Sequence, residues 1–173
     1  MSKATLTAIQ PPHTTNIFSG IKTIEWRTFA MPEGKHYVYE TKRKGGSGMV
    51  IGTMHISRNY YFYDVDQIPE WLIREGCVSR EFLLEYSKGK ILYANVIYDA
   101  KKFDTPKPYT DYKRYIEYKY KKKGWVTYKY PKDRYEYKIE NGKLKPIRIP
   151  ADTIRMPPQS YLYIKDPEER SEE

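Results

Sequence analysis

The residues Lys90-Ile91-Leu92-Tyr93-Ala94-Asn95-Val96-Ile97-Tyr98 are apolar almost throughout, the pattern of a strand covered on both faces rather than washed by water on one. Such a strand needs a sheet with material packed against each side, and it is the candidate central strand of the chain. Its company can be read from the same kind of signal. Residues 4–9 alternate loosely, and residues 23–29, 36–42, 49–56 and 159–165 read as further strands. Lys44-Gly45-Gly46-Ser47-Gly48 is a glycine-rich hairpin connection between the third and fourth of these. Three short helices fit between them. Pro11 and Pro12 suit a turn and a helix start that runs through Ile17 and Phe18 and stops at Gly20. Ile68, Trp71 and Leu72 share one helical face, with Pro69 in the first turn and Gly76 as the stop. Ser79 can cap a third helix whose apolar stripe is Phe82, Leu83 and Tyr86, with Glu81 at its positive end and Lys88-Gly89 closing it.

A chain of 173 residues is one ordinary domain by length and can bury a real core. With 39% hydrophobic and 31% charged residues and a mean hydropathy of -0.83, a small core under a large wet surface is expected. No apolar run approaches the length of a membrane helix and the start of the chain lacks a signal-peptide apolar region, so a cytoplasmic protein with no membrane partner is expected. The single cysteine, Cys77, excludes an intrachain disulfide and a cysteine-based zinc site. His13, His36 and His55 lack ligand spacing, and Asp64 and Asp66 extend to no metal pattern, so neither metal nor cofactor is expected. Thirty-one Lys and Arg against 22 Asp and Glu leave a net charge of +9, which favours polyanionic partners.

That charge is unevenly spread. Residues 109–137 hold nine Tyr and nine Lys or Arg against four Asp or Glu. Interleaved rings and cations can stack bases and track phosphates, although tyrosine also favours strands and lysine guards their edges. Asn141-Gly142 marks a hairpin turn between arms at 135–139 and 144–149, and Pro146 confines the second arm to an edge. The last residues, 166–173, form an acidic tail expected to be disordered.

The candidate site lies in Gly20-Ile21-Lys22-Thr23-Ile24-Glu25-Trp26-Arg27. On a strand, Ile24 and Trp26 point to one face and Glu25 and Arg27 to the other, where their side chains can meet, while Gly20 lets Lys22 swing over the same surface. The two cations could hold phosphate or a base carbonyl, and the carboxylate could accept from a base amino group. A plain surface ion pair is the alternative, worth about 0 to 1 kcal/mol.

This octapeptide fits the pattern G-x-K-x-x-E-x-R and resembles the ASCH domains of the PUA-like superfamily. The resemblance begins at Leu6-Thr7-Ala8-Ile9-Gln10-Pro11-Pro12-His13 and passes through Ile17-Phe18-Ser19-Gly20 into the motif. It continues in Tyr37-Val38-Tyr39-Glu40-Thr41-Lys42 and returns at Pro157-Pro158-Gln159-Ser160-Tyr161-Leu162-Tyr163. It implies an α+β fold, a PUA-like mixed β-barrel with short helices, carrying a Tyr/Lys-rich β-hairpin as an insertion at about residues 112–150 in a single domain over residues 1–165. It also implies that the turn into the last strand borders the same cleft, so that Gln159, Ser160 and Tyr161 join Lys22, Glu25 and Arg27 around one nucleotide of RNA or another nucleic acid.

The resemblance carries an enzymatic alternative too. Some bacterial ASCH proteins hydrolyse N4-acetylcytidine with a lysine, a threonine and a distant glutamate, and others with the G-x-K-x-x-E-x-R form are ribonucleases. Lys22 matches the shared lysine, but Glu25 stands where the amidohydrolases carry threonine, which disfavours that chemistry here. A hydrolase on RNA or modified nucleosides would use Lys22 and Glu25 as its catalytic pair. A third alternative is a protein-interaction module working through the tyrosine-rich stretch.

Overall fold

The strands that build the molecule are β1 (Lys3–Ile9), β2 (Ile24–Arg27), β3 (Gly34–Glu40), β4 (Val50–Phe62), β5 (Leu92–Lys107), β6 (Arg134–Glu140), β7 (Lys143–Ile149) and β8 (Tyr161–Lys165). The helices are α1 (His13–Phe18), α2 (Glu70–Glu75) and α3 (Arg80–Ser87). These come from a computed structural model that describes residues 3–115, 134–140 and 143–168. Six strands form one mixed sheet in the order β2-β5-β4-β3-β1-β8. The β1–β3 pair is parallel and the other neighbours are antiparallel. Among the described residues no helix is long and apolar enough to cross a membrane.

Strand β5 is interior and buried along most of residues 92–97, as its apolar sequence requires. It is longer than its apolar run, however, and so is β4: the two extend over 16 and 13 residues and pair along most of that length, with three shifts of register. Their outer halves are exposed and polar. Each exposed half pairs with the buried half of the other strand, residues 58–62 of β4 with 92–96 of β5 and residues 101–107 of β5 with 50–53 of β4, so its backbone hydrogen bonds are met without a core of its own.

The sheet is not closed into the expected barrel. Strands β2 and β8 stand at opposite ends of the strand order, with no hydrogen-bonded pairing between them among the described residues. The sheet nevertheless wraps round: Arg27 Nη2 on β2 donates to the Ala8 carbonyl on β1 at 2.8 Å, and the Phe29 ring lies 5.5 Å from that of Tyr161 on β8.

Three apolar clusters fill this wrapped sheet. Ile24, Trp26, Leu92 and Ala94 meet Leu72, Ile73 and Leu83 of α2 and α3. Ile17 of α1 joins Ile9, Val38, Met54 and Ile56 in a second. Leu6, Tyr37, Tyr39, Val50 and Ile164 make the third. Each fully buried aliphatic side chain contributes about 1.5–3 kcal/mol. Ser79 caps α3, its hydroxyl accepting from the Phe82 N–H at 3.1 Å, and Lys88 ends the helix in the left-handed conformation. Of the stripe read on α3, only Leu83 reaches the core; Phe82 and Tyr86 are 44% and 36% exposed. Strands β6 and β7 form a separate two-stranded hairpin with Glu140 opposite Lys143, the register of a two-residue connection. The turn residues Asn141 and Gly142, the Tyr/Lys-rich residues 116–133 and the tail from 169 onward lie outside the described residues.

Candidate functional site

Strand alternation delivers the motif as the spacing predicts. Ile24 and Trp26 enter the core, and Glu25 and Arg27 turn to the opposite face. The Glu25 carboxylate stands between two cations, with Oε1 2.9 Å from Arg27 Nη2 and Oε2 3.4 Å from Lys22 Nζ. The three side chains are only 1% (Lys22), 7% (Glu25) and 15% (Arg27) exposed. This is therefore a buried ion triad and not a surface pair. A buried ion triad must be held on every side to offset the loss of water.

The surrounding backbone supplies that hold. Gly20, at φ +77°, turns the chain out of α1 so that the Lys22 N–H reaches the Asn16 carbonyl at 2.9 Å. Lys22 Nζ then donates to the Gly76 carbonyl at 2.5 Å. Gly76 has a second duty that its reading as a helix stop misses. A Cβ at Gly76 would stand 2.2 Å from Trp26 Nε1, so the absence of a side chain is what lets the α2 terminus lie against the indole. Asn95, completely buried opposite Glu25, fixes the carboxylate's backbone: its Nδ2 donates to the Glu25 carbonyl at 2.8 Å and its Oδ1 accepts from the Met31 N–H at 2.7 Å.

Burial alone would push the Glu25 carboxyl up, but the charges of Arg27 and Lys22 outweigh it and hold the group below the ordinary carboxylate range. His13, the first residue of α1, is shifted down from its ordinary value by burial and by the charges of Lys22 and Arg27, so its imidazole is neutral at pH 7.

The triad forms one wall of a cavity of about 550 Å³, within the range of small-ligand sites. Four cationic side chains, Lys22, Arg27, Lys42 and Arg43, line it against the single carboxylate of Glu25. Phe82 and Tyr86 of α3 stand at its edge, their rings parallel to within 8° at 5.7 Å. Several polar atoms on the lining residues are buried without a protein partner: His13 Nδ1, Arg27 Nε, Thr41 Oγ1 and Trp26 Nε1. Unsatisfied buried groups of this kind are rare and call for a ligand or solvent partner.

Of the residues picked from sequence, Lys22, Glu25, Arg27 and Gln159 meet at this cavity. The link between the motif and the entry to the last strand is Ala8, whose carbonyl accepts from Arg27 and whose N–H donates to the Ser160 carbonyl at 2.7 Å. Ser160 thus serves through its backbone and, like Tyr161, is not among the lining residues; the Tyr161 ring packs on Phe29 and Tyr163. Sequence reading misses His13, Thr41, Lys42 and Arg43, and reads Phe82 and Tyr86 only as part of an apolar stripe. Their aromatic and cationic character was a signal, but their place around the cavity depends on contacts far apart in the chain. Among the described residues no group of three or more His, Cys, Asp or Glu is placed to hold a metal ion.

The architecture has known counterparts. It superposes on an ASCH protein of Zymomonas mobilis with a TM-score of 0.53, at 22% identity over 61% of this chain and 73% of that one. The fold is that of an ASCH domain. A tyrosine-to-phenylalanine variant of the Zymomonas mobilis ASCH protein aligns similarly, with a TM-score of 0.53 at 21% identity over 62% of this chain and 77% of that one. A serine-to-alanine variant gives a TM-score of 0.52 at 22% identity. No family model and no curated protein matches the sequence. In this ASCH fold the cavity sits where the open side of the sheet, between β2 and β1, is bridged by Arg27.

Proposed function

We propose that this ASCH-fold protein binds RNA and admits one nucleotide to the cavity beside the ion triad. The observation that carries the reading is the pairing of an exposed aromatic edge, Phe82 and Tyr86, with a cavity wall rich in cations and unsatisfied donors. A base stacks on the rings, and phosphates meet the exposed Lys42 and Arg43. Lys22 is committed to Glu25 and Gly76, so it shapes the wall rather than following phosphates. Arg27 keeps Nε free of protein partners to face the nucleotide. The net charge of +9 attracts the polyanion over longer range.

The test replaces the exposed cations and spares the buried ones. With Lys42→Gln/Arg43→Gln, binding of a labelled single-stranded RNA octamer of random sequence should weaken, and the slope of log affinity against log salt should fall by about 1.4. Unchanged affinity and slope in a variant of native stability would refute the reading.

A hydrolytic reading of the same cavity has one observation in its favour. His13 is neutral at pH 7 and its Nδ1 has no protein partner, as a general base requires. Glu25 is a poorer candidate, because it is held ionised and both its oxygens face cations. RNA cleaved by the protein and left intact by His13→Asn, seen by mass spectrometry, would establish this version. Intact RNA with both would leave binding alone.

A further inference from the structure

A second hollow of about 430 Å³ lies on the other side of the aromatic edge, lined by Thr28, Phe82, Glu85, Tyr86, Ser87, Lys88 and Lys90. It shares Phe82 and Tyr86 with the first cavity, so these two rings form the ridge between two adjoining hollows. Here both rings are substantially exposed, while only Leu83 between them is fully buried.

The chemistry of the second hollow differs from that of the first. Lys88 and Lys90 are exposed, flank Gly89 and make no ion pair among the described residues. Lys88 is held at φ +48° and the Lys90 N–H is tied to the Ser87 carbonyl at 2.9 Å, so the backbone that carries both lysines is set by the helix end. The same hollow is lined by Glu85 and lies at the carbonyl end of α3, both of which repel phosphate close to the helix. The Ser87 hydroxyl is already spent on the Leu84 carbonyl at 3.1 Å. Phosphate therefore belongs at the outer rim with the lysines. An uncharged group rich in N–H donors belongs inside, against the rings and Glu85. A nucleotide has these two parts in this order.

We infer that the second hollow holds the next nucleotide of the same RNA strand, so that the protein reads two consecutive nucleotides separated by the Phe82–Tyr86 ridge. The base of the second nucleotide stacks on the outer side of the ridge with its amino edge toward Glu85, and its phosphate lies between Lys88 and Lys90. The inference rests on the first cavity being a nucleotide site. It adds that the ligand is a single strand, because a paired strand could not part its bases around the ridge.

Length dependence tests it. The labelled RNA octamer is displaced by an equal mixture of the four nucleoside 5′-monophosphates and, separately, by a mixture of dinucleotides carrying a 5′-phosphate. The native protein should prefer the dinucleotides by tenfold or more. In Lys88→Gln/Lys90→Gln that preference should fall to about threefold or less, with displacement by mononucleotides unchanged. A preference that survives the double substitution overturns the second site, as does native protein showing no preference for dinucleotides. A native protein that binds neither the octamer nor the mononucleotides overturns both this inference and the nucleotide reading of the first cavity. Glu85→Ala is the second check: it should alter the ranking of dinucleotides by their second base, and an identical ranking counts against the base-inward orientation.

Discussion

Glu25→Gln is the most informative single change, because one carboxylate serves two buried cations. The substitution keeps the shape of the side chain, removes its charge and turns one of its two accepting oxygens into a donating NH2 that faces a cation. It leaves Lys22, 1% exposed, and Arg27, 15% exposed, without a counterion. Separations of 2.9 and 3.4 Å put both pairs in direct contact. Removing one partner of a buried pair costs about 3–5 kcal/mol, and the upper half of that range is expected here because two cations lose the same partner. The assay is urea unfolding at pH 7 followed by tryptophan fluorescence, with Lys22→Met and the double variant completing a cycle. The double variant should recover part of the loss, since the more buried of the two cations is then gone. The pH dependence provides an internal control. The Glu25 carboxyl is held below its unfolded value of 4.5, so its contribution is complete above that pH and disappears as pH falls through the folded value. The gap between native protein and Glu25→Gln should accordingly close in acid. A variant within about 0.5 kcal/mol of the native protein at pH 7, the usual range for a neutral surface change, would show that the triad does not hold the fold as described.

Two further outcomes follow from the same geometry. His36 is completely buried; its Nε2 donates to the Pro32 carbonyl at 2.7 Å and its Nδ1 accepts from the Thr7 hydroxyl at 2.7 Å, and burial pushes its value down to about 4. The folded chain resists protonation more than the unfolded one, so stability should drop by roughly 3 kcal/mol as pH falls from 6.5 to 4; urea titrations across that window should show the drop in the native protein and a drop smaller by that amount in His36→Gln. Gly76→Ala drives a methyl into the Trp26 indole and moves the carbonyl that Lys22 uses, which should cost at least the 1–3 kcal/mol typical of overpacking and change the tryptophan emission; a native melting temperature and spectrum would contradict the contact.

The motif itself was legible because period-two alternation and a glycine joint are local facts. Residues 20–27 specify the faces of Ile24, Glu25, Trp26 and Arg27 without help from the rest of the chain. What was not legible depends on long-range approach. The burial of Lys22 rests on Gly76, 54 positions away, and the backbone of Glu25 is pinned by Asn95, 70 away. Asn95 hides in an apolar run, where its amide is the one interior feature that departs from the pattern. Phe82 and Tyr86 fall on the stripe of α3 because helical spacing shows which side chains share a face, and not what that face meets. The barrel expectation is refined in a similar way. Strand content announces a sheet, whereas the final seam is one guanidinium and one pair of rings.

That seam has a consequence for what a molecule held in the cavity would do to the fold. A backbone ladder would have sealed the sheet independently of anything bound inside it. Here Arg27 on the edge strand β2 clasps β1, the neighbour of the other edge strand, and is also a wall of the cavity, so a molecule that touched both Arg27 and Gln159, which leads into β8, would act as an additional clasp. Filling the hollow and tightening the wrapped sheet would then be a single event, with resistance to unfolding a direct gauge of occupancy.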